Sequence, residues 1–445
     1  MPADTLPYDV LREIFTYCLP RYPFKDVYQP DVKSAPILLC HVCSSWRTGA
    51  LASATLWSHL SYELMVYPNT PKFNAWSLLE NQVEFISWWK TNHGSIAPFL
   101  TIAVRIVNVS PSPDRLLDWD SVEFLLPYLI SAQYLYIDRF LWDRIRDRIE
   151  DEGQISFPNL HTVVEDSRWT DDPFFYAQIL PNKSLPKLRH VDISHIMLEP
   201  DPIQIHPNGN RLPCPSNWST LTHISLRRVG LDPDLWLSIL HAAPNLQWGY
   251  FAINENRTRR FTHTKLTHSQ LTSLFIDAED QIEDLFRDIH LPVLQSLHLF
   301  SFTEAWGDER AIRNVSTATR SAPKITTLTL RDGFLAFGEV TEPLWKYSPN
   351  LTHLQLDAPY SYSSADLFVQ NFLSKNNKWL DLANPACSIC KITLISIAFQ
   401  DNTKEYAMAP LRDLAKEFPK IEFDFASESP FYEAENEWKK WNVLF

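Results

Sequence analysis

Two cysteine pairs have the spacing of half a zinc site each: Cys40-His41-Val42-Cys43 and Cys387-Ser388-Ile389-Cys390. A structural zinc ion needs four such ligands in a tetrahedron. Each pair lies in an apolar run, and the runs are expected far apart, so both read as buried free cysteine. His190 and His223 fall at equivalent points of two segments and would be neighbours if those segments were adjacent strands. Two histidines without a third ligand make no metal site. The chain contains no G-x-S-x-G, H-E-x-x-H, Walker A or G-x-G-x-x-G stretch, so none of these nucleophile, metal or phosphate-cradling motifs is on offer. Glycine is scarce, 9 residues against 32 prolines in 445, which favours proline-punctuated turns over glycine-rich phosphate loops. The expectation is a chain that binds and does not catalyse, with no cofactor and no metal.

The gross chemistry narrows the partner and the compartment. A net charge of −13 disfavours nucleic acid as the main partner. Six cysteines are too few for a disulfide framework in a chain of this length. Asp4, Asp9, Arg12 and Glu13 interrupt any apolar core of a leader between Met1 and Leu19. No uninterrupted apolar run is long enough to span a membrane. These features point to a reduced protein of the cytoplasm or nucleus, with no membrane partner.

The elements that position any binding residues come from an internal repeat. Leu188-Arg-His-Val191-Asp-Ile193, Leu221-Thr-His-Ile224-Ser-Leu226, Leu271-Thr-Ser-Leu274-Phe-Ile276, Leu294-Gln-Ser-Leu297-His-Leu299, Ile325-Thr-Thr-Leu328-Thr-Leu330 and Leu351-Thr-His-Leu354-Gln-Leu356 share the pattern L-x-x-L-x-L. Weaker copies start at Phe99, Ala132, Leu160, Leu246 and Ile389, and Pro186, Pro292, Pro323 and Pro349 stand shortly before several copies. The interval runs from 23 residues (Leu271 to Leu294) to 33 (Leu188 to Leu221), the range of solenoid repeats. Apolar positions four and six alternate along a strand and point to one face. Helical stretches at Asp234–Ala243 and Gln281–His290 would serve as crossovers between parallel strands. The expected α/β fold is a curved parallel sheet backed by helices, in which stacking closes a core that one unit cannot close alone.

The residues between the leucines would then line an open, concave face. The candidates for holding a partner protein there are His190, Asp192, His223, Arg227, Trp248, Tyr250, Phe275, His298, Phe300, Arg331 and His353, with Tyr134, Tyr136, Asp277 and Asp357 beside them. Aromatics, histidine and arginine favour binding surfaces, although aromatics are also ordinary strand formers. Two insertions stand apart: proline-rich Glu199–Asn217, and basic Asn256–His268 with Arg257, Arg259, Arg260 and Lys265.

The two ends read as helical. Val10, Leu11, Ile14, Phe15 and Cys18 recur at helical spacing behind Thr5 and Pro7. A second helix is expected from Ser34 to Arg47, with Ile37, Leu38, Leu39, Val42, Cys43 and Trp46 apolar, and a third from Thr48 to Ala54, before Leu56-Trp57. So small a core leaves Leu6, Pro7 and Phe15 as apolar excess. Phe73, Trp76, Leu79, Val83, Ile86 and Trp89 predict an amphipathic connecting helix. At the far end, Leu411–Phe418 reads as helix, Pro419–Phe425 as a last strand, and Phe431, Ala434, Trp438, Trp441 and Phe445 as a helical stripe capping the array. The expected division is a helical domain at 5–60, a solenoid at 61–430 and a capping helix at 431–445.

The order Leu6-Pro7…Ile14-Phe15, then Val42-Cys43-Ser44-Ser45-Trp46-Arg47, then Leu56-Trp57 resembles the F-box, a three-helix motif. With the repeats, the chain resembles the irregular F-box leucine-rich-repeat proteins. The loop Arg21–Lys33 is longer than the commonest F-box pattern and resembles the variant of many fungal F-box proteins. The usual repeat asparagine after the third leucine is missing; Arg227, Asp277, Phe300, Arg331 and Asp357 stand there. The resemblance implies docking on a Skp-type adaptor and, through it, on a cullin-RING ubiquitin ligase. It implies that Leu6, Pro7, Val10, Ile14 and Phe15 face the adaptor from the first helix. Leu39, Val42, Cys43 and Trp46 would do so, or support that face, from the second, and Trp57 would close the motif. The repeat array would hold a target protein.

Overall fold

The computed structural model describes residues 6–19, 33, 35–57, 59–66, 84, 100–108, 130, 132–138, 157–167, 186–195, 218–231, 233–253, 265–278, 283–301, 309–332, 344–357, 382–395, 412–413, 415–426 and 430. The elements fall into two compact units. The first holds α1 (Tyr8–Cys18), α2 (Leu39–Val42), α3 (Ser44–Ala52) and a 3-10 turn (Ala54–Trp57), followed by β1 (His59–Val66), β2 (Leu100–Asn108), β3 (Ala132–Asp138), β4 (Thr162–Ser167) and β5 (His190–His195). The second begins with β6 (His223–Leu231), α4 (Pro233–Ala242), β7 (Trp248–Ile253), β8 (Leu266–Thr267), β9 (Ser273–Ala278), α5 (Glu283–Phe286), β10 (Ile289–His290) and β11 (Ser296–Ser301). It continues with α6 (Glu309–Ser321), β12 (Thr327–Asp332), β13 (His353–Asp357), β14 (Lys391–Ile395) and β15 (Glu422–Ala426).

Within the first unit β1 to β5 pair in chain order, all parallel. In the second the order is β6-β7-β9-β11-β12-β13-β14-β15, again parallel. Strands β8 and β10 pair separately. The fold is an α/β repeat solenoid with helices at its N-terminal end.

Leucine periodicity becomes register. Leu274, Leu297, Leu328, Leu354 and Ile392 are successive partners, and so are Ile276, Leu299, Leu330, Leu356 and Leu394. Every one is buried. Burying such a side chain fully is worth about 1.5–3 kcal/mol, and each does so only against the next strand. One copy departs from the pattern in a compensated way. Gly249 stands where its neighbour has Leu274, and a Cβ there would lie 2.5 Å from the Phe251 ring. Phe251 thus fills the space of two side chains, held edge-on by Trp236, which also meets Phe286 edge-on.

The prolines before the leucines sit in tight turns that open the strands. The amide of Leu246 donates to the Ala243 carbonyl (3.0 Å), that of Ile325 to Ala322 (3.1 Å), that of Leu351 to Ser348 (3.1 Å) and that of Ile421 to Phe418 (3.0 Å). Pro244, Pro323, Pro349 and Pro419 occupy the second position of these four-residue turns, where the fixed φ of proline is already correct. Asparagine, missing after the third leucine, appears inside these turns. Asn245 donates to the Ser219 carbonyl at 2.6 Å and Asn350 to that of Pro323 at 2.9 Å, each reaching back to the preceding repeat.

Several element boundaries differ from the expectation. The single helix Ser34–Arg47 is two, broken at Cys43, whose backbone is extended (φ −160°, ψ 175°) and which caps α3 by accepting the Trp46 amide on Sγ. Ser44 and Ser45 follow it, residues that compete with a continuous helix and favour its start. The third helix is therefore Ser44–Ala52, not Thr48–Ala54. Strand β1 begins at His59, inside the stretch read as helical domain. The helix expected at Gln281–His290 shrinks to Glu283–Phe286, because Ile289 and His290 pair with β8. Helix α6, with Val315 and Ala318 buried, was not foreseen. The C-terminal strand is Glu422–Ala426, and the chain is helical at Arg412, Asp413 and Ala415 to Glu417. Apart from Glu84, which is helical, the connecting helix lies outside the described residues. So do the insertion 199–217, most of 256–268 and the C-terminal stripe 431–445.

Candidate docking surface

The sequence offered two surfaces, and their side chains are placed in opposite ways. In the first unit, Phe15 is fully buried and meets Trp46 edge-on with ring centroids 5.1 Å apart. Gly49 permits that approach: a Cβ there would stand 3.3 Å from the Phe15 ring and 3.6 Å from that of Tyr8. Leu11, Leu39, Leu56 and Trp57 are buried too, and Trp57 Nε1 donates to the Ala50 carbonyl at 2.8 Å. Phe15, expected on the outer face, lies with Leu39 and Trp57 in the core under the surface; three short helices bury more than their length implied. Cys43 and Trp46 are half-buried at its margin.

Other apolar side chains remain outside. Pro7 is exposed and Leu6 and Ile14 are half-buried, while Val10 is 42 % and Tyr17 75 % exposed. Val10, Ile14 and Tyr17 are spaced 4 and 3 along α1, one stripe of the helix. Tyr8, Leu38, Val42 and Leu51 are exposed as well. Sequence reading missed Tyr17, Leu38 and Leu51 as surface residues. Tyr17 was within reach, since it continues the Val10–Ile14 spacing by half a heptad. An apolar patch kept in water is the mark of an interaction surface.

The sheet face opposite the leucines behaves otherwise. Tyr250, Phe275, His298 and Phe300, expected in the open, are buried, as are Asp357 and, in the first unit, Tyr134, His190 and Asp192. Their rows sit in register: Tyr250, Phe275, His298 and Thr329 are successive partners. Tyr250, Phe275 and Phe300 form one cluster with Trp248 packed on it, and the His298 ring stacks on Phe275 at 3.9 Å and 2°. Thr329 donates its only hydroxyl proton to Gln355 Oε1 at 2.6 Å. It must therefore accept from His298 Nδ1 at 2.7 Å, which makes that nitrogen the protonated one of a neutral ring. Burial, then the charge of His353, pushes the His298 pKa down to about 3. Burial alone takes His223 to about 4. Arg331 lies 4.5 Å over the Phe300 ring, with Nε 3.6 Å from Asp357 Oδ2.

Half-buried residues on this side of the second unit are His223, Arg227, Trp248, Asp277, Arg331 and His353. His223 stacks on Trp248 and shares a hydrogen bond with Thr222 (2.9 Å). His353 meets Thr393 at 2.9 Å. Lys391 bridges Glu422 (2.9 Å) and Asp424 (3.2 Å), and these bonds raise its pKa. The Tyr136 side chain lies outside the described residues.

His190, held by Thr162 at 3.0 Å, belongs to the first unit and His223 to the second. Cys40, Cys43, Cys387 and Cys390 are outside any disulfide, but none is buried as expected: the first three are half-buried and Cys390 is exposed. Among the described residues no group of three histidines, cysteines or carboxylates has the geometry of a metal site, and no helix is long and apolar enough to cross a membrane.

The class these features define is an α/β repeat solenoid with an apolar helical surface at one end. No protein family model and no curated protein matches the chain. Solved structures similar to it include two that span most of its length. One, from Bacteroides fragilis, is 11% identical over 80% of this chain and 85% of its own, with a TM-score of 0.33. The other, the yeast Rad7 and Elc1 complex, is 14% identical over 80% of this chain and 88% of its own, with a TM-score of 0.30.

Proposed function

We propose that this chain is the substrate-recognition subunit of an SCF-type (Skp-cullin-F-box) ubiquitin ligase in the cytoplasm or nucleus. What supports the reading is the stripe Val10, Ile14 and Tyr17 on α1, with exposed Pro7 just before it, in the stretch whose residues resemble the F-box. The helices would dock on the Skp-type adaptor and the solenoid would hold a target protein. The chain would act as a tether and perform no chemistry of its own. Transfer of ubiquitin rises because the target lysine is kept at high effective concentration near the donor.

The test is co-purification of the full chain with a Skp-type adaptor and cullin, beside a Leu6→Ala/Pro7→Ala variant. Recovery of both partners by the wild type, and their loss in the variant, is the expected result. Absence of adaptor, or adaptor retained by the variant, contradicts the proposal. Adaptor recovered without cullin would place the chain among interaction scaffolds working outside a ligase.

A further inference from the structure

The half of the helical surface built by α2 and α3 carries one permanent charge. Between residues 35 and 57 Arg47 is the only Lys, Arg, Asp or Glu. It is exposed, and among the described residues no carboxylate pairs with it. Its Nε nonetheless donates to the Cys40 carbonyl at 2.8 Å. That carbonyl is one of the last of α2, and such carbonyls lack partners within their own helix. The tie fixes the guanidinium at the end of α2, where Val42 is 50 % exposed. A guanidinium anchored through Nε still has both terminal nitrogens, held in one plane as a fork that matches a carboxylate. That hydrogen bond restrains the side chain before any partner arrives, which lowers the ordering cost of binding.

On this ground, and resting on the adaptor reading above, we infer that Arg47 receives an aspartate or glutamate carboxylate of the adaptor as the apolar surface around Val42 is covered. The occupant has a defined chemistry: an apolar face with an acidic side chain at its margin. Charge complementarity argues for it, because among the described residues Arg47 is the one permanent charge that α2 and α3 carry and no carboxylate pairs with it. A purely structural arginine would serve only as a cap on α2. The two roles separate on salt and on charge.

The experiment titrates the full chain with recombinant Skp-type adaptor by calorimetry at low and at high sodium chloride. Three proteins are compared: wild type, Arg47→Gln, which keeps an N–H for the Cys40 carbonyl without the charge, and Arg47→Lys, which keeps the charge without the fork. The wild type should weaken several-fold at high salt. Arg47→Gln should bind about tenfold more weakly at low salt, with the salt dependence flattened and the melting midpoint unchanged; Arg47→Lys should fall between. Wild-type affinity in Arg47→Gln, or a salt response equal to that of the wild type, overturns the inference. If Arg47→Gln melts early, the wild-type salt response decides, and its absence overturns the inference. A wild type that binds no adaptor at any salt overturns the parent reading instead.

Discussion

The helical surface and the aromatic sheet face use the same kinds of residue to opposite ends. Around α1, tyrosine and valine stay in water while phenylalanine and tryptophan go inside. On the sheet of the second unit, tyrosine, phenylalanine, histidine and an aspartate are all shut in. A short helical bundle has more apolar residues than interior to put them in. A sheet face that packs histidine, threonine and aspartate among aromatic rings has the opposite need, to find partners for the polar groups it encloses. The His298–Thr329–Gln355 chain is that need met. Exposure, not residue type, separates a docking surface from a core.

The comparison can be broken most forcefully at its buried anchors. Phe15→Ala should cost about 3–5 kcal/mol, read by chemical unfolding of the first unit; a loss below about 1 kcal/mol would put Phe15 outside the core. Asp357→Ala should cost about 3 kcal/mol by removing a fully buried carboxylate that lies 3.6 Å from the Arg331 guanidinium, and a neutral outcome would show that side of the sheet to be open to solvent.

What could be read in advance follows the same division. A period-two leucine pattern reports one face of a strand, so Leu274, Leu297 and Leu328 were placed correctly inside. It is silent on the other face, and Tyr250, Phe275 and Phe300 look alike whether they bind a partner or line an interior. Strand β1 is not among the expected elements although Leu60, Tyr62, Leu64 and Val66 alternate, because the expected helical domain extends through residue 60. Helix α6 hid because its buried side is made of small residues such as Ala318. On the helical surface Pro7 and Val10 are exposed while Phe15, Leu39 and Trp57 are buried, a split that helical spacing does not reveal, since it identifies an apolar stripe but not whether it faces a core or water.

The buried histidine gives the sheet face an acid-side pH signature. With His298 at about 3 in the folded chain and about 6.5 when unfolded, the unfolded state binds the extra proton between those values. Stability is complete above about pH 6.5 and falls on acidification by about 1.4 kcal/mol per pH unit down to about pH 3. His298→Gln should lower the acid slope in unfolding titrations of the second unit by about 1.4 kcal/mol per pH unit, leaving the part that His223, itself at about 4, contributes; an unchanged slope would place the titration elsewhere. Gly249→Ala should cost about 1–3 kcal/mol by displacing the Phe251 ring, seen as a lower denaturant midpoint. The smallest effect belongs to the stripe: Val10→Ser/Tyr17→Ser should shift stability by no more than about 0.5 kcal/mol.

That double variant also carries the most direct test of the account. Calorimetric titration of the full chain with a Skp-type adaptor, wild type beside Val10→Ser/Tyr17→Ser, should show binding by the wild type. It should show a loss of at least about tenfold in the variant at an unchanged melting midpoint. Equal affinities for the two proteins, or no binding by either, would contradict the claim that the outward stripe of α1 is a docking surface for that adaptor.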